Sequence, residues 1–335
     1  MTNPIVLNVE GLRKSFPIER GFFRQRVGEI VAVDDVTFVV RQGETVGIVG
    51  ESGCGKTTVA RCVLRLLDPT GGKIEFHLAE GAVDIAKLQA KSLAPLRRKA
   101  QMIFQDPVSS LNPRWRVADI VAEPLVAQGL SRAAARRKAA DYLHTVELGP
   151  EFAGRFPHEL SGGQRQRVGI ARAMILEPAL VVADEAVSAL DVSVRAQIIN
   201  LMLRLQAQAG IAYLFIGHDL SVVKHISDHI CVMYLGRVVE SGTRQEVFER
   251  PSHPYTRALL ASALVPDPRL ASLSAVLDGE IPSPLRPPTG CHFRSRCPFA
   301  KERCAIEVPH LRAFDGTQRV RCHFAEDLMQ SKRPA

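Results

Sequence analysis

The stretch Gly50–Thr58, reading GESGCGKTT, constrains this chain more than any other. It matches G-x-x-x-x-G-K-[ST], with Gly50, Gly55, Lys56 and Thr57 in register. Glycines let successive backbone N–H groups curl around a phosphate chain, and a helix starting at the loop's end adds its positive pole. Lys56 is placed to reach β- and γ-phosphates, and the Thr57 hydroxyl to ligate Mg²⁺. The flanks agree: Glu44–Gly50 (ETVGIVG) reads as a short buried strand, and Thr57–Leu67 (TTVARCVLRLL) as a helix. Strand, loop and helix together predict a nucleoside triphosphate site rather than a chance glycine-rich turn.

The chain has 335 residues, more than one core usually takes, so a main domain with an appendage is expected. No apolar run approaches the ~20 residues needed to span a bilayer. The N-terminus, MTNPIVLNVEG, lacks the basic-then-apolar pattern of a secretory signal. A cytosolic protein that sits on a membrane only through a partner is expected. Lys and Arg number 43 against 35 Asp and Glu, a net charge of +8. With one Trp and four Tyr there are no evident base-stacking platforms, so the excess reads as solvated helix faces and no nucleic acid partner is expected.

Residues 4–49 look β-rich, with Ile5–Leu12 and Asp35–Val40 as strand candidates and a polar loop or hairpin at Arg20–Glu29 between them. Phe22 and Phe23 in that loop are expected to fold back on the sheet. GGKIEFH and QMIFQ are further strands. From Asp106 to about Leu160 the character turns helical: WRVADIVAEPLVAQGL, then SRAAARRKAADYLHTVEL with Ser131 as N-cap. Gly162–Leu176 opens another helix, Ala179–Glu185 is a buried strand, and Ile211–Asp219 is the next. Between the last two, Val194, Ile198, Leu201 and Leu205 share one helical face. Strands alternating with helices argue for a mostly parallel sheet. After about Glu249 the pattern weakens, and residues 263–290, with Pro266, Pro268, Pro282, Pro284, Pro287 and Pro288, read as a linker.

Several polar residues belong with the loop. LVVADE ends in Asp184, a carboxylate for Mg²⁺, followed by Glu185, which can polarise a water for in-line attack on the γ-phosphate. Gln105 closes QMIFQ and can bind Mg²⁺ and the attacking water. His218 closes IAYLFIGH and can hydrogen-bond the γ-phosphate. Strand carboxyl ends are where open α/β sheets bind ligands. LSGGQ, Leu160–Gln164, sets Ser161, Gly162 and Gly163 just before a helix, a second anion cradle. Two cradles for one nucleotide type suggest a head-to-tail dimer, each subunit closing on ATP held by the other. Phe16, from residues alone, reads as a core side chain.

GESGCGKTT, FQDP, LSGGQRQRVGIARA, VVADE, SALD and GHD, in this order and spacing over roughly residues 5–250, resemble the ATP-binding subunit of an ABC transporter. The resemblance implies a P-loop NTPase (RecA-like) α/β core from 1–105 and 161–250, with a β-rich N-terminal part and a helical ABC subdomain at 106–160. It implies ATP contacts from Gly50, Ser52, Gly53, Cys54, Gly55, Lys56, Thr57, Thr58 and Gln105. Mg²⁺ would be held by Thr57, Gln105 and Asp184. Glu185 would be the catalytic base and His218 the switch histidine. Phe16 becomes the adenine-stacking residue. Ser161, Gly162, Gly163 and Gln164 would meet the partner's ATP, and Asp191 the dimer seam. The helical subdomain would grip the membrane subunits, with Gln105 at its hinge.

One departure stands out: the family usually reads DEPTSALD, and this chain has DEAVSALD with Ala186 and Val187. Neither supplies a catalytic atom, so ATPase activity should survive.

The tail narrows the branch. HPYTRALLASALVPDP followed by CHFRSRCPFAKERC is similar to the ATPases of oligopeptide/dipeptide importers, and residues 251–335 are read as their small Cys-rich C-terminal extension. The extra loop at residues 20–29 fits that branch too. The implied partners are a second, related ABC ATPase, two integral membrane permeases and an extracytoplasmic solute-binding protein, at the cytoplasmic face of the inner membrane. The implied cargo is a di- or oligopeptide. A soluble ABC-type ATPase acting on nucleic acid or ribosomes is the alternative. Of seven cysteines, Cys54, Cys62 and Cys231 read as buried or incidental, whereas Cys291, Cys297, Cys304 and Cys322 crowd the tail. Four thiolates suit zinc or an iron–sulfur cluster, and the resemblance favours [4Fe–4S]; four reduced, unliganded thiols are the other reading.

Overall fold

A computed structural model of the chain describes residues 3–20, 25–78, 81–263, 280, 282–283, 285 and 287–330. The loop phenylalanines Phe22 and Phe23 and most of the proline-rich linker lie outside them. The chain divides into two compact units, one of residues 1–6, 40–45 and 87–216, the other of 7–39, 46–86 and 217–335.

The second unit carries the phosphate loop. Its N-terminal strands are long: β1 (Ile5–Arg20) and β2 (Gln25–Arg41) sit beside β4 (Gly71–Leu78) and β5 (Gly81–Asp84) in the order β2-β1-β4-β5. Antiparallel pairing of Leu7 with Phe76 and Val9 with Ile74 stacks fully buried apolar residues on one face, the period-two pattern of a half-buried strand. Between these lie β3 (Thr45–Val49), five buried residues, and helix α1 (Lys56–Val63). Val46–Val49 run parallel to β9 (His229–Tyr234), which turns through Leu235 and Gly236 into antiparallel β10 (Arg237–Thr243). Both turn residues have positive φ, 43° and 79°, the two-residue hairpin geometry that glycine favours. The tail then adds β12 (Arg319–Val320) to β10 and β11 (Arg312–Ala313) to β12. Helices α8 (Leu220–Ile226), α9 (Arg244–Glu249), α10 (Pro254–Ala263), α11 (Glu302–Ile306) and α12 (Ala325–Gln330) complete the unit. Regular structure thus continues past Glu249, where the sequence pattern fades.

In the first unit, β6 (Ala100–Ile103), β7 (Leu180–Asp184) and β8 (Ala212–Ile216) are parallel in the order β8-β7-β6. All five residues of β7 and of β8 are buried, as expected of strands covered on both faces. Helices α2 (Ala94–Lys99), α3 (Pro107–Ser110), α4 (Val117–Ala127), α5 (Arg132–Tyr142), α6 (Gly162–Met174) and α7 (Val192–Ala209) surround them in sequence. The Ser131 hydroxyl accepts from the Ala134 N–H at 3.4 Å, the cap expected for α5. On α7, Ile198, Leu201 and Leu205 are buried as the helical face predicts. Val194 is half-buried, its Cγ1 lying 2.5 Å from where a Cβ on Gly163 would stand. No described helix is long and apolar enough to cross a membrane.

Candidate active site

The phosphate loop has the backbone its motif requires. Gly50 has φ +153°, and a Cβ there would lie 2.2 Å from the Met233 carbonyl oxygen. Gly55 has φ +105°, and a Cβ would meet the Ala32 carbonyl oxygen at 2.2 Å. Only glycine fits either place. Lys56 opens α1 and is 5% exposed. Its Nζ donates to the Gly50 carbonyl at 2.8 Å, the Glu51 carbonyl at 3.0 Å and Cys54 Sγ at 3.7 Å. The buried Cys54 thiol is pushed above its ordinary pKa by desolvation, against the lowering charge of Lys56. Ser52 and Gly53 face solvent, and Thr57 and Thr58 are half-buried on the first turn of α1.

In the same unit Phe16 is half-buried on β1, with the Lys14 ammonium 4.9 Å from its ring centre, so it is not the core side chain that residues alone suggest. His218 is exposed just before α8, and the next residue, Asp219, caps that helix by accepting from the N–H groups of Ser221 (3.0 Å) and Val222 (3.3 Å).

The other unit holds the carboxylates. Asp184 ends β7 and is 3% exposed. Glu185 follows in the left-handed region, φ +47°, its N–H donating to the Ile216 carbonyl at 2.9 Å. That conformation is uncommon for a non-glycine residue and turns the chain sharply after the strand. Gln105 Nε2 donates to Glu185 Oε2 at 2.8 Å, so two residues expected at one crevice do meet. Ala186 and Val187 are buried, so apolar side chains fill the departure from the family pattern.

LSGGQ builds a complete helix start. Ser161 Oγ accepts from Gln164 N–H at 3.3 Å, while Gln164 Oε1 accepts from Ser161 N–H at 2.9 Å, a reciprocal capping box opening the 13 residues of α6. Ser161 and Gly162 are exposed, Gly163 and Gln164 half-buried. Asp191 is exposed at the start of α7; its side chain caps nothing there, while its carbonyl accepts from Arg195 N–H at 2.8 Å.

Sequence reasoning missed two features. The first is a cavity of about 600 Å³ in the first unit, lined by Trp115, Phe156, Ala122 and Val126 with Arg114, Arg116, Arg132 and Arg136 and the acids Asp119 and Glu123. Its residues come from α4, α5 and separate loops, so no local pattern announces it. The second is Glu51, a position the loop motif leaves free, which is tied to the tail by Tyr255 and Arg296.

The four tail cysteines do come together: all line one cavity of about 20 Å³, walled by Phe293, Phe299, Phe324 and Leu328. The expected metal site is not assembled, however. Among the described residues no group of three or more Cys, His, Asp or Glu is arranged to hold an ion. Burial in these apolar surroundings raises the Cys291 thiol and pushes Cys297 to about 12 and Cys322 to about 11. Cys54, Cys62 and Cys231 are buried, as expected.

Comparison with known proteins places these features in a family. Residues 33–188 match the ABC transporter family, and residues 239–304 match the oligopeptide/dipeptide transporter C-terminal region. A protein of Sinorhizobium fredii named "Probable peptide ABC transporter ATP-binding protein" is 53% identical, covering 95% of this chain and 89% of its own length. The oligopeptide transport ATP-binding protein AppF of Bacillus subtilis is 48% identical, covering 95% and 97%. Among solved structures, a dimeric ATP-binding cassette in a post-hydrolysis state, bound to ADP and Pi, superposes with a TM-score of 0.61 at 28% identity, covering 71% of this chain and 98% of its own.

Proposed function

Because the chain belongs to the ABC transporter family, as an ATP-binding subunit of its oligopeptide/dipeptide branch, we propose that its ATP hydrolysis drives import of small peptides through partner permeases. The observation that carries this reading is the pair of anion-gripping helix starts: the phosphate loop before α1 and the exposed, capped Ser161 before α6. One nucleotide needs both, so a second ATPase subunit supplies the missing half.

The roles follow from chemistry. Backbone N–H groups of Gly53–Thr58 cradle the phosphates, and Lys56 leaves the loop carbonyls for the β- and γ-oxygens. Thr57, Gln105 and Asp184 would hold Mg²⁺, which would supply neutralisation of the charge on the phosphates. Glu185 polarises the attacking water, Gln105 orients it, and His218 bonds the γ-phosphate. Phe16, half-buried with a ring already favourable to a cation, stacks on adenine. Ser161, Gly162, Gly163 and Gln164 close on the partner's nucleotide, with Asp191 at the seam. Residues 1–105 and 161–250 form the ATPase core, 106–160 the helical subdomain and 251–335 the extension.

The cavity around Trp115 and Phe156 suits a short helix of the membrane subunit: apolar side chains, four arginines and two acids line it together. That docking makes the protein peripheral to the membrane, with a solute-binding protein delivering cargo on the far side. Four soft donors around one cavity support a [4Fe–4S] cluster or zinc in the tail, though their present arrangement is not a coordination set. Iron and zinc analysis of anaerobically purified protein tests that point. The function itself is tested by purifying the chain from membranes: co-purification with two integral membrane proteins and peptide-stimulated ATP turnover are expected.

A further inference from the structure

Glu51 sits in the phosphate loop, and both its backbone amide and its carboxylate are held by the C-terminal extension. Its N–H donates to Tyr255 Oη at 2.9 Å, across 204 positions of sequence. Its carboxylate takes both Nη groups of Arg296, at 2.8 and 2.9 Å, across 245 positions. Bidentate guanidinium–carboxylate pairs fix orientation as well as distance. The Arg296 side chain is 4% exposed and Glu51 21%, so the pair is largely shielded from water. The Glu51 carbonyl, in turn, accepts from Lys56 Nζ at 3.0 Å and from Cys54 N–H at 3.3 Å.

Beyond Tyr255 and Arg296, the contacts run into side chains of the extension packed on Tyr234 of β9. Tyr234, Tyr255 and Phe293 pack as a buried aromatic trio with centroids 4.7, 5.2 and 5.5 Å apart. The Arg296 guanidinium lies 5.8 Å from the Tyr234 ring centre. Just past Tyr234, Gly236 N–H donates to the Cys54 carbonyl at 3.0 Å, a second tether on the same loop.

We infer that the C-terminal extension is a positioning clamp for the phosphate loop: Arg296 and Tyr255 fix Glu51, and Glu51 fixes the course of the loop backbone through the Cys54 N–H bond to its carbonyl. Arg296 touches no nucleotide in this account; it is a positioning residue. The nucleotide is held by a loop whose shape is set from the tail, so losing the tail contact weakens ATP binding more than it slows the chemical step. This rests on the reading of Gly50–Thr58 as the ATP phosphate site.

The test uses the full chain purified with its co-purifying partners, comparing wild type with Arg296→Met, Arg296→Lys, Glu51→Gln and the double variant Arg296→Met/Glu51→Gln. MgATP turnover gives kcat and KM, and a fluorescent ATP analogue gives Kd. Arg296→Met and Glu51→Gln should each raise KM and Kd about tenfold, within the usual range for coupled sites, with kcat changed less than about twofold. Arg296→Lys should recover part of the affinity, and the double variant should be no worse than the poorer single. Asp315→Asn, which breaks an exposed pair with Arg250 elsewhere in the extension, should leave KM and Kd unchanged. Where Arg296→Met fails to fold, Tyr255→Phe keeps the ring, removes the acceptor and carries the same expectation. Wild-type affinity in the single variants, or singles whose effects multiply in the double, overturns the clamp. A wild-type complex that binds nucleotide without hydrolysing it would overturn the transport ATPase reading, while Kd would still decide the clamp.

Discussion

Gln105 and Glu185, 80 positions apart, meet through a 2.8 Å hydrogen bond from Gln105 Nε2 to Glu185 Oε2. The amide orients the carboxylate proposed to activate water. Glu185→Gln keeps shape and loses the base, so ATP turnover should fall ~10²–10⁴-fold while ATP binding persists. Steady-state turnover beside nucleotide-binding titration checks it; unchanged turnover removes Glu185 from the role.

Gly50 tests the loop's backbone rather than its side chains. Alanine there would put a Cβ 2.2 Å from the Met233 carbonyl oxygen at a φ that L residues rarely adopt. The loop must move, and a displacement of even ~1 Å at a reacting centre can cost about 10²-fold. Gly50→Ala should therefore abolish measurable turnover, with loss of fluorescent ATP-analogue binding.

The departure at Ala186 and Val187 predicts a mild outcome. Both side chains are buried, 2% and 5% exposed, and neither offers a polar atom. Ala186→Pro with Val187→Thr should leave kcat within about twofold, because neither position supplies a catalytic atom; the cost of burying the threonine hydroxyl falls on stability instead. A large gain or loss in kcat would mean the loop after Glu185 takes part in the chemistry.

His253 gives the fold a pH signature. It is 1% exposed, and burial holds its pKa at about 3, below the ordinary 6.5. The unfolded chain therefore binds more protons between these values. From this group, stability present above about pH 6.5 is lost as pH falls toward about 3, at about 1.4 kcal/mol per pH unit. Glu240, raised by burial, works in the opposite direction, so the clean readout is a difference. Denaturant unfolding should show a shallower acid limb in His253→Gln than in wild type, whatever its absolute stability.

The sequence carried the chemistry further than the architecture. GESGCGKTT, VVADE and LSGGQ were legible as family motifs because the phosphate and Mg²⁺ binding proposed for them demands fixed residue types at fixed spacing, and α5 was legible through Ser131. The hairpin of β9 and β10 was missed although Leu235–Gly236 marks its turn, because both strands are buried and lack alternation. The role of HPYTR was hidden for another reason. His253 N–H donates to Glu240, Tyr255 Oη accepts from the Glu51 N–H, and Arg257 donates to the Leu328 carbonyl, across 13, 204 and 71 positions of sequence. No local periodicity encodes a partner so far away.

In the proposed cycle, Ser161 of one subunit completes the phosphate site of another. A structure of the Glu185→Gln complex held with MgATP tests this directly. Ser161 Oγ and the N–H groups behind it should lie within hydrogen-bond reach of a γ-phosphate bound to the neighbouring subunit's Lys56. Ser161 facing open solvent, with nucleotide bound and no partner phosphate near it, would rule the shared site out.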